Sequence, residues 1–158
     1  MEMNTGIVTG TFDPPTIGHL DIIKRASKLF DRLYVVILLN PEKKACAFSV
    51  EERMAFLKAL TKDIPNVTVE HYDGLAIDYA KSIGGGVFVR GFRNENDFEY
   101  EREMAEWNLR NGDIETILLP AREELKEVSS TTAKELLKAG DAVLVGEDIA
   151  NMIFKGGN

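Results

Sequence analysis

Four groups of residues in this chain have types and spacings suited to handling phosphate. The first is Gly10-Thr11-Phe12-Asp13-Pro14-Pro15-Thr16-Ile17-Gly18-His19, set between a short apolar run at Ile7-Val8 and an amphipathic run from Leu20 to Phe30. That order predicts strand, tight loop, helix. Backbone N–H groups at a helix start are unpaired and carry partial positive charge, so such a terminus receives phosphate. His19 can add an imidazole N–H to that donor set. Pro14 and Pro15 restrict the path of the loop, while Gly10 and Gly18 permit close approach or positive φ. The second group is Lys43 and Lys44, in the loop after an apolar run. The third is Arg90 and Arg93 flanking Gly91, where forked guanidinium contacts suit phosphate. The fourth is Ser129 and Ser130, hydroxyls ahead of a helix. Each has a plainer reading: a capping histidine, solvated lysines, helix N-caps.

The elements that must position these groups follow from two hydrophobic periods. Ile7-Val8, Leu33–Leu39, Val67–Glu70, Val87–Val89 and Ile114–Leu119 read as five strands. Leu33–Leu39 is continuously apolar, as a parallel strand covered on both faces must be. Helices are predicted from Leu20 to Phe30, from Ser49 to about Lys62, from Leu75 to Ser82, from Phe98 to about Asn111 and from Ala133 to Lys138. Ser49 with Glu52 forms a capping-box pattern. A C-terminal helix is expected at about 145–153. Arg90-Gly91-Phe92-Arg93 reads as a loop beyond its strand, and Tyr100, Met104, Ala105 and Trp107 as inward or interface positions. Strand–helix alternation argues for one domain over 1–158, an open parallel five-stranded α/β sheet with helices on both faces. Ligands in that architecture bind beyond the C-terminal ends of the strands, where strand order switches. The four groups all fall on loops at that edge.

Composition removes several classes. The chain has 158 residues, 44% of them hydrophobic, and no run near the roughly 18 apolar residues of a membrane span. No basic stretch leads into an apolar one at the start, so a secretory signal is not expected. Cys46 is the single cysteine, which excludes an internal disulfide and fits a reducing cytoplasm. A net charge of −7 argues against a general nucleic-acid binder, which relies on many Lys/Arg–phosphate contacts. His19 and His71 lack metal-ligand spacing, and neither a P-loop nor a dinucleotide fingerprint occurs.

Gly10–Pro14 with Thr16–His19 is similar to the Thr/His-x-Gly-His signature of the nucleotidylyltransferase superfamily. Asn40–Lys44, Phe48–Arg53, Val89–Arg93, Asp97–Glu101 and Val128–Thr131 further resemble the bacterial phosphopantetheine adenylyltransferases, over about residues 6 to 153. The resemblance implies a Rossmann-like fold and transfer of the adenylyl group of ATP to 4′-phosphopantetheine, giving dephospho-CoA and pyrophosphate without a covalent enzyme intermediate. It assigns transition-state stabilisation to His19, with Lys43 and Thr11 in the same catalytic pocket. Thr11, Lys43, Leu75, Ala76 and Arg90 would meet the phosphopantetheine. Thr11, Phe12, His19, Gly91, Phe92, Arg93 and Glu101 would meet the nucleotide, as would Leu125, Lys126, Glu127, Val128, Ser129, Ser130 and Thr131. Magnesium is implied on the ATP phosphates without a protein ligand set, CoA as a feedback ligand, and a homohexamer. Two departures stand out. Leu125-Lys126-Glu127-Val128 replaces a run rich in aromatics, placing Glu127 near a triphosphate, and Ala76 replaces a larger residue. The alternatives are another nucleotidylyltransferase, with nicotinamide mononucleotide as acceptor for example, and a non-catalytic nucleotide binder.

Overall fold

A computed structural model describes residues 4–39 and 46–154. Lys43 and Lys44 lie outside the described residues. The chain runs β1 (Thr5–Gly10), α1 (Ile17–Ser27), β2 (Arg32–Leu39), α2 (Val50–Leu60), β3 (Val67–Asp73), α3 (Ala76–Ser82), β4 (Val87–Phe92), α4 (Glu95–Gly112), β5 (Thr116–Pro120), α5 (Ser130–Lys138) and α6 (Glu147–Phe154). The five strands form one sheet in the order β3-β2-β1-β4-β5, and every pairing is parallel. The chain winds outward from β1 to β3, then crosses back to lay β4 on the other side of β1. The switch in strand order therefore lies between β1 and β4, and the expected cleft opens there.

The continuous apolar strands divide their side chains between two cores, as a period of two requires. Val8, Val35, Ile37 and Val89 join Ile23, Ala26 and Leu57 on one face of the sheet. Ile7, Val36 and Phe88 join Ile77, Tyr79, Ala80 and Ile114 on the other. A third cluster ties Phe56 of α2 to Ala133, Val145 and Ile149, packing the C-terminal helices against α2. The Ser49–Glu52 capping box forms as the pattern predicts, with Glu52 N–H donating to Ser49 Oγ at 3.1 Å and Ser49 N–H to Glu52 Oε1 at 3.0 Å.

Two expectations need correction. Arg90, Gly91 and Phe92 are not a loop: they extend β4, because β5 offers ladder partners at Leu118, Leu119 and Pro120. Cross-strand pairing overrides the poor strand propensity of arginine and glycine. In addition, of the inward and interface readings of Tyr100, Met104 and Trp107 the inward one fails, since each is more than a third exposed, which leaves the interface reading. Within the 18-residue α4, only Glu101 is buried.

Candidate active site

The loop between β1 and α1 builds the centre of the site. Neither Gly10 nor Gly18 takes positive φ; that conformation falls on Phe12, at +52°. Gly10 serves by close approach instead, since a Cβ there would stand 3.1 Å from the buried Phe12 ring. Thr16 caps α1 in a reciprocal box with His19: His19 N–H donates to Thr16 Oγ1 at 3.3 Å, and Thr16 N–H donates to His19 Nδ1 at 3.0 Å. Because Nδ1 accepts, the neutral ring carries its proton on Nε2. Phe12 packs edge-to-face on the imidazole, with centroids 4.9 Å apart. The capping pattern thus orients His19 and sets its tautomer, so cap and donor are one device.

Burial, then the positive charges of Arg90 and Arg93, lower the His19 pKa from 6.5 to about 4. His19 is therefore a neutral N–H donor at pH 7. A depressed histidine pKa means that the unfolded chain binds the extra proton first. The His19 contribution is fully present above pH 6.5 and is lost as pH falls from there to about 4. Urea midpoints at pH 7 and pH 5 should accordingly differ more in the native chain than in His19→Gln. Equal differences would show that the ring titrates normally.

Two chambers meet at this centre. The first, of about 310 Å³, is lined by Thr11, Phe12, His19, Gly91, Phe92 and Arg93, with Leu125, Val128, Ser129 and Ser130 at its far side. The second, of about 630 Å³, is lined by Leu38, Leu39, Leu75, Ala76, Met104 and Trp107 among others. Thr9, Gly10, Thr11 and Arg90 belong to both walls. Gly91 keeps the first chamber's floor low, because a Cβ would stand 3.0 Å from Ile22 Cγ1.

Arg90 is held at the junction from three sides. Its Nε and Nη2 each donate to a Glu101 oxygen at 2.8 Å, and its Nη1 donates to the Thr9 carbonyl. Glu101, expected beside the nucleotide, stands on the wall of the second chamber with both oxygens on Arg90. Arg93 lines the first chamber, its Nε and N–H both bound by Asp97 Oδ2 at 3.2 and 3.1 Å. Ser129 caps α5 through Thr132, and Ser130 Oγ donates to the Pro14 carbonyl at 2.8 Å, joining α5 to the histidine loop. The capping box engages Ser129 N–H with Thr132 Oγ1 at 3.0 Å and Thr132 N–H with Ser129 Oγ at 3.1 Å, so the helix-start N–H groups outside it are those of Ser130 and Thr131.

The 125–131 segment reaches the chamber only in part. Leu125 and Val128 line it, whereas Lys126 pairs with Glu123 at 2.7 Å, and Glu127 and Thr131 are exposed and off the wall. Sequence reasoning missed Asp21, a first-chamber wall residue. Its oxygens take Arg25 Nη1 at 3.1 Å and Arg122 Nε at 2.8 Å, tying α1 to the segment after β5. Only its i, i+4 spacing to Arg25 was a signal; Arg122 is 101 residues away. Among the described residues no His/Cys/Asp/Glu group is suited to a metal, and both Asp21 oxygens face arginines. No described helix is long and apolar enough to cross a membrane.

A chamber lined by Arg90, Arg93 and a neutral histidine at a helix start thus lies at the switch point of a parallel sheet, an arrangement suited to the nucleotidyltransferase class. The chain belongs to the cytidylyltransferase-like family, whose model matches residues 7–136, and within it to the phosphopantetheine adenylyltransferases. It is 46% identical to the phosphopantetheine adenylyltransferase of Caldanaerobacter subterraneus subsp. tengcongensis, over 87% of this chain and 86% of that one. To the protein of the same name from Clostridium novyi it is 41% identical, over 97% and 99%. A Vibrio parahaemolyticus structure provisionally assigned as a nicotinate-nucleotide adenylyltransferase shares the fold at a TM-score of 0.69 and 15% identity, covering 98% of this chain and 100% of that one. The chain is thus an enzyme, a nucleotidyltransferase.

Proposed function

We propose that the chain transfers the adenylyl group of ATP to 4′-phosphopantetheine, releasing pyrophosphate and dephospho-CoA, as a step of coenzyme A synthesis. The observation that carries this reading is the pair of chambers sharing Thr9, Gly10, Thr11 and Arg90, with His19 on the wall of the first. Such a site can hold a nucleotide and a long acceptor with their phosphates at the junction. In-line attack by an acceptor phosphate needs no general base, because that phosphate is already ionised near neutral pH. The protein supplies alignment and charge stabilisation.

In this reading His19 Nε2–H donates to an α-phosphate oxygen as charge builds there. Arg93, the first turn of α5 and the backbone at Gly91 and Phe92 take the leaving phosphates and the nucleoside. Thr11 and Lys43 hold the acceptor phosphate, and Leu75 and Ala76 meet the pantetheine arm. Glu101 acts through Arg90, fixing its guanidinium at the junction. Magnesium arrives as part of the ATP substrate, held by phosphate oxygens and water. CoA, as a product-like ligand, fits the same cleft. The exposed apolar side chains of α4 support assembly of several copies, a hexamer by the family's pattern. The single, unbridged Cys46 supports a cytoplasmic location.

The test is pyrophosphate release from ATP and magnesium with 4′-phosphopantetheine, with nicotinamide mononucleotide, or without acceptor. Release with phosphopantetheine alone is expected. Release with the mononucleotide would keep the His19 chemistry but reassign the second chamber. ATP binding without release in any mixture would mark a non-catalytic binder.

A further inference from the structure

We propose that Arg53 and Asp13 form a two-way clamp that holds the Thr11–Phe12 peptide in its reactive orientation, making both positioning residues for the transfer step. The inference rests on the reaction assigned above. Neither residue lines either chamber. Both are nevertheless buried and charged, with 6% exposure each, which is costly unless the charge is fully engaged.

Their partners explain the burial. Arg53 leaves α2 and donates from Nε to the carbonyls of Phe48 and Ser49, at 3.1 and 3.3 Å, and from Nη1 to the carbonyl of Thr11, at 3.0 Å. Asp13 reaches the opposite way. Its Oδ2 accepts from Ala47 N–H at 2.8 Å and its Oδ1 from Phe48 N–H at 2.9 Å, with Lys134 Nζ of α5 at 3.6 Å. The phosphate loop and the start of α2 thus grip each other through one side chain from each. Phe48 is held on both sides, its N–H by Asp13 and its carbonyl by Arg53.

The gripped point is the strained one. The Thr11 carbonyl belongs to the peptide that leads into Phe12, whose φ of +52° lies in the left-handed region. That region crowds Cβ against the carbonyl oxygen, so a residue other than glycine stands there only under strain. Something must oppose relaxation, and Arg53 Nη1 holds that peptide's oxygen while Nε anchors the guanidinium on the carbonyls of Phe48 and Ser49. Release would let the peptide turn, moving Thr11 at the junction of the chambers and the Phe12 ring that packs on His19. Misplacement of a reacting group by about 1 Å can cost about 100-fold in rate. A lysine at 53 keeps the charge but loses the fork, so it cannot serve both sets of carbonyls.

Arg53→Lys and Asp13→Asn are compared with the native chain for kcat, for KM of ATP and of 4′-phosphopantetheine, and for melting temperature. Thr61→Val is the control, since Thr61 is equally buried at the C-terminal cap of the same helix and its Oγ donates to the Leu57 carbonyl, remote from the loop. Both clamp variants should lose about 10–100-fold in kcat with each KM within about threefold. The control should lose stability and keep its kcat. Native kcat in folded Arg53→Lys and Asp13→Asn would overturn the clamp. So would a loss in kcat shared equally by Thr61→Val. If Arg53→Lys does not fold, Asp13→Asn decides, because it keeps the side-chain shape and one acceptor oxygen. The native chain is assayed first: no dephospho-CoA from it overturns the reaction itself, whereas active native enzyme beside equally active variants overturns only the clamp.

Discussion

His19→Ala is expected to lower turnover by about 10²–10³-fold, the scale for removing one preorganised donor from a developing oxyanion. Thr16 N–H occupies Nδ1, and the depressed pKa keeps the ring neutral, so one proton remains and it sits on Nε2. Phe12 and the α1 cap hold the ring in place, so the donor needs no reorganisation when charge moves to the α-phosphate. ATP affinity should change far less than kcat, because a contact made mainly in the transition state contributes little to ground-state binding. Single-turnover rates with ATP and 4′-phosphopantetheine, alongside ATP binding by titration, check both parts. Near-native turnover would remove His19 from this role. A parallel rise in KM with unchanged kcat would make it a binding residue only.

Glu101→Ala is expected to cost about 3 kcal/mol of folding stability and to impair the reaction as well. Removing one partner of a buried pair leaves the other charge uncompensated, commonly at a cost of about 3–5 kcal/mol. The lower end applies because the Arg90 side chain keeps 33% of its exposure, while that of Glu101 keeps 7%. The residue is also the single buried position of α4, so the helix loses its one fully sequestered anchor. For a chain of this size the melting temperature should fall by roughly 6–12 °C. Arg90, released from two bonds, would no longer be fixed at the junction, so KM for the acceptor should rise in the variant that still folds. Glu101→Gln, which keeps the shape and one acceptor, should recover part of both losses. Unchanged melting and acceptor KM in Glu101→Ala would show that Arg90 holds its place through the Thr9 carbonyl alone.

Much of this architecture was legible in the chain itself. Apolar runs of strand length alternating with amphipathic ones dictated a parallel α/β sheet, because only strands covered on both faces read that way. The Gly10–His19 loop followed by an apolar helix face placed a strand–loop–helix turn at the end of β1, and Ser49 with Glu52 announced the start of α2. These features are local: the residues that interact are a few positions apart, so composition and spacing carry the information.

What tertiary structure decided is what the chain brings together from a distance. β4 runs through Arg90 and Gly91 only because β5 lies beside it, and no local preference of those residues says so. Glu101 reads as one more acid on a solvated helix until α4 turns it onto Arg90. Asp21 meets Arg122 across 101 residues, Ser130 meets Pro14 across 116, and Arg53 meets Thr11 across 42. Even the division into two chambers follows from laying β4 against the far side of β1. Sequence determined which groups could bind phosphate; the order of strands decided which of them share a wall, because buried charges must find partners wherever the fold delivers them.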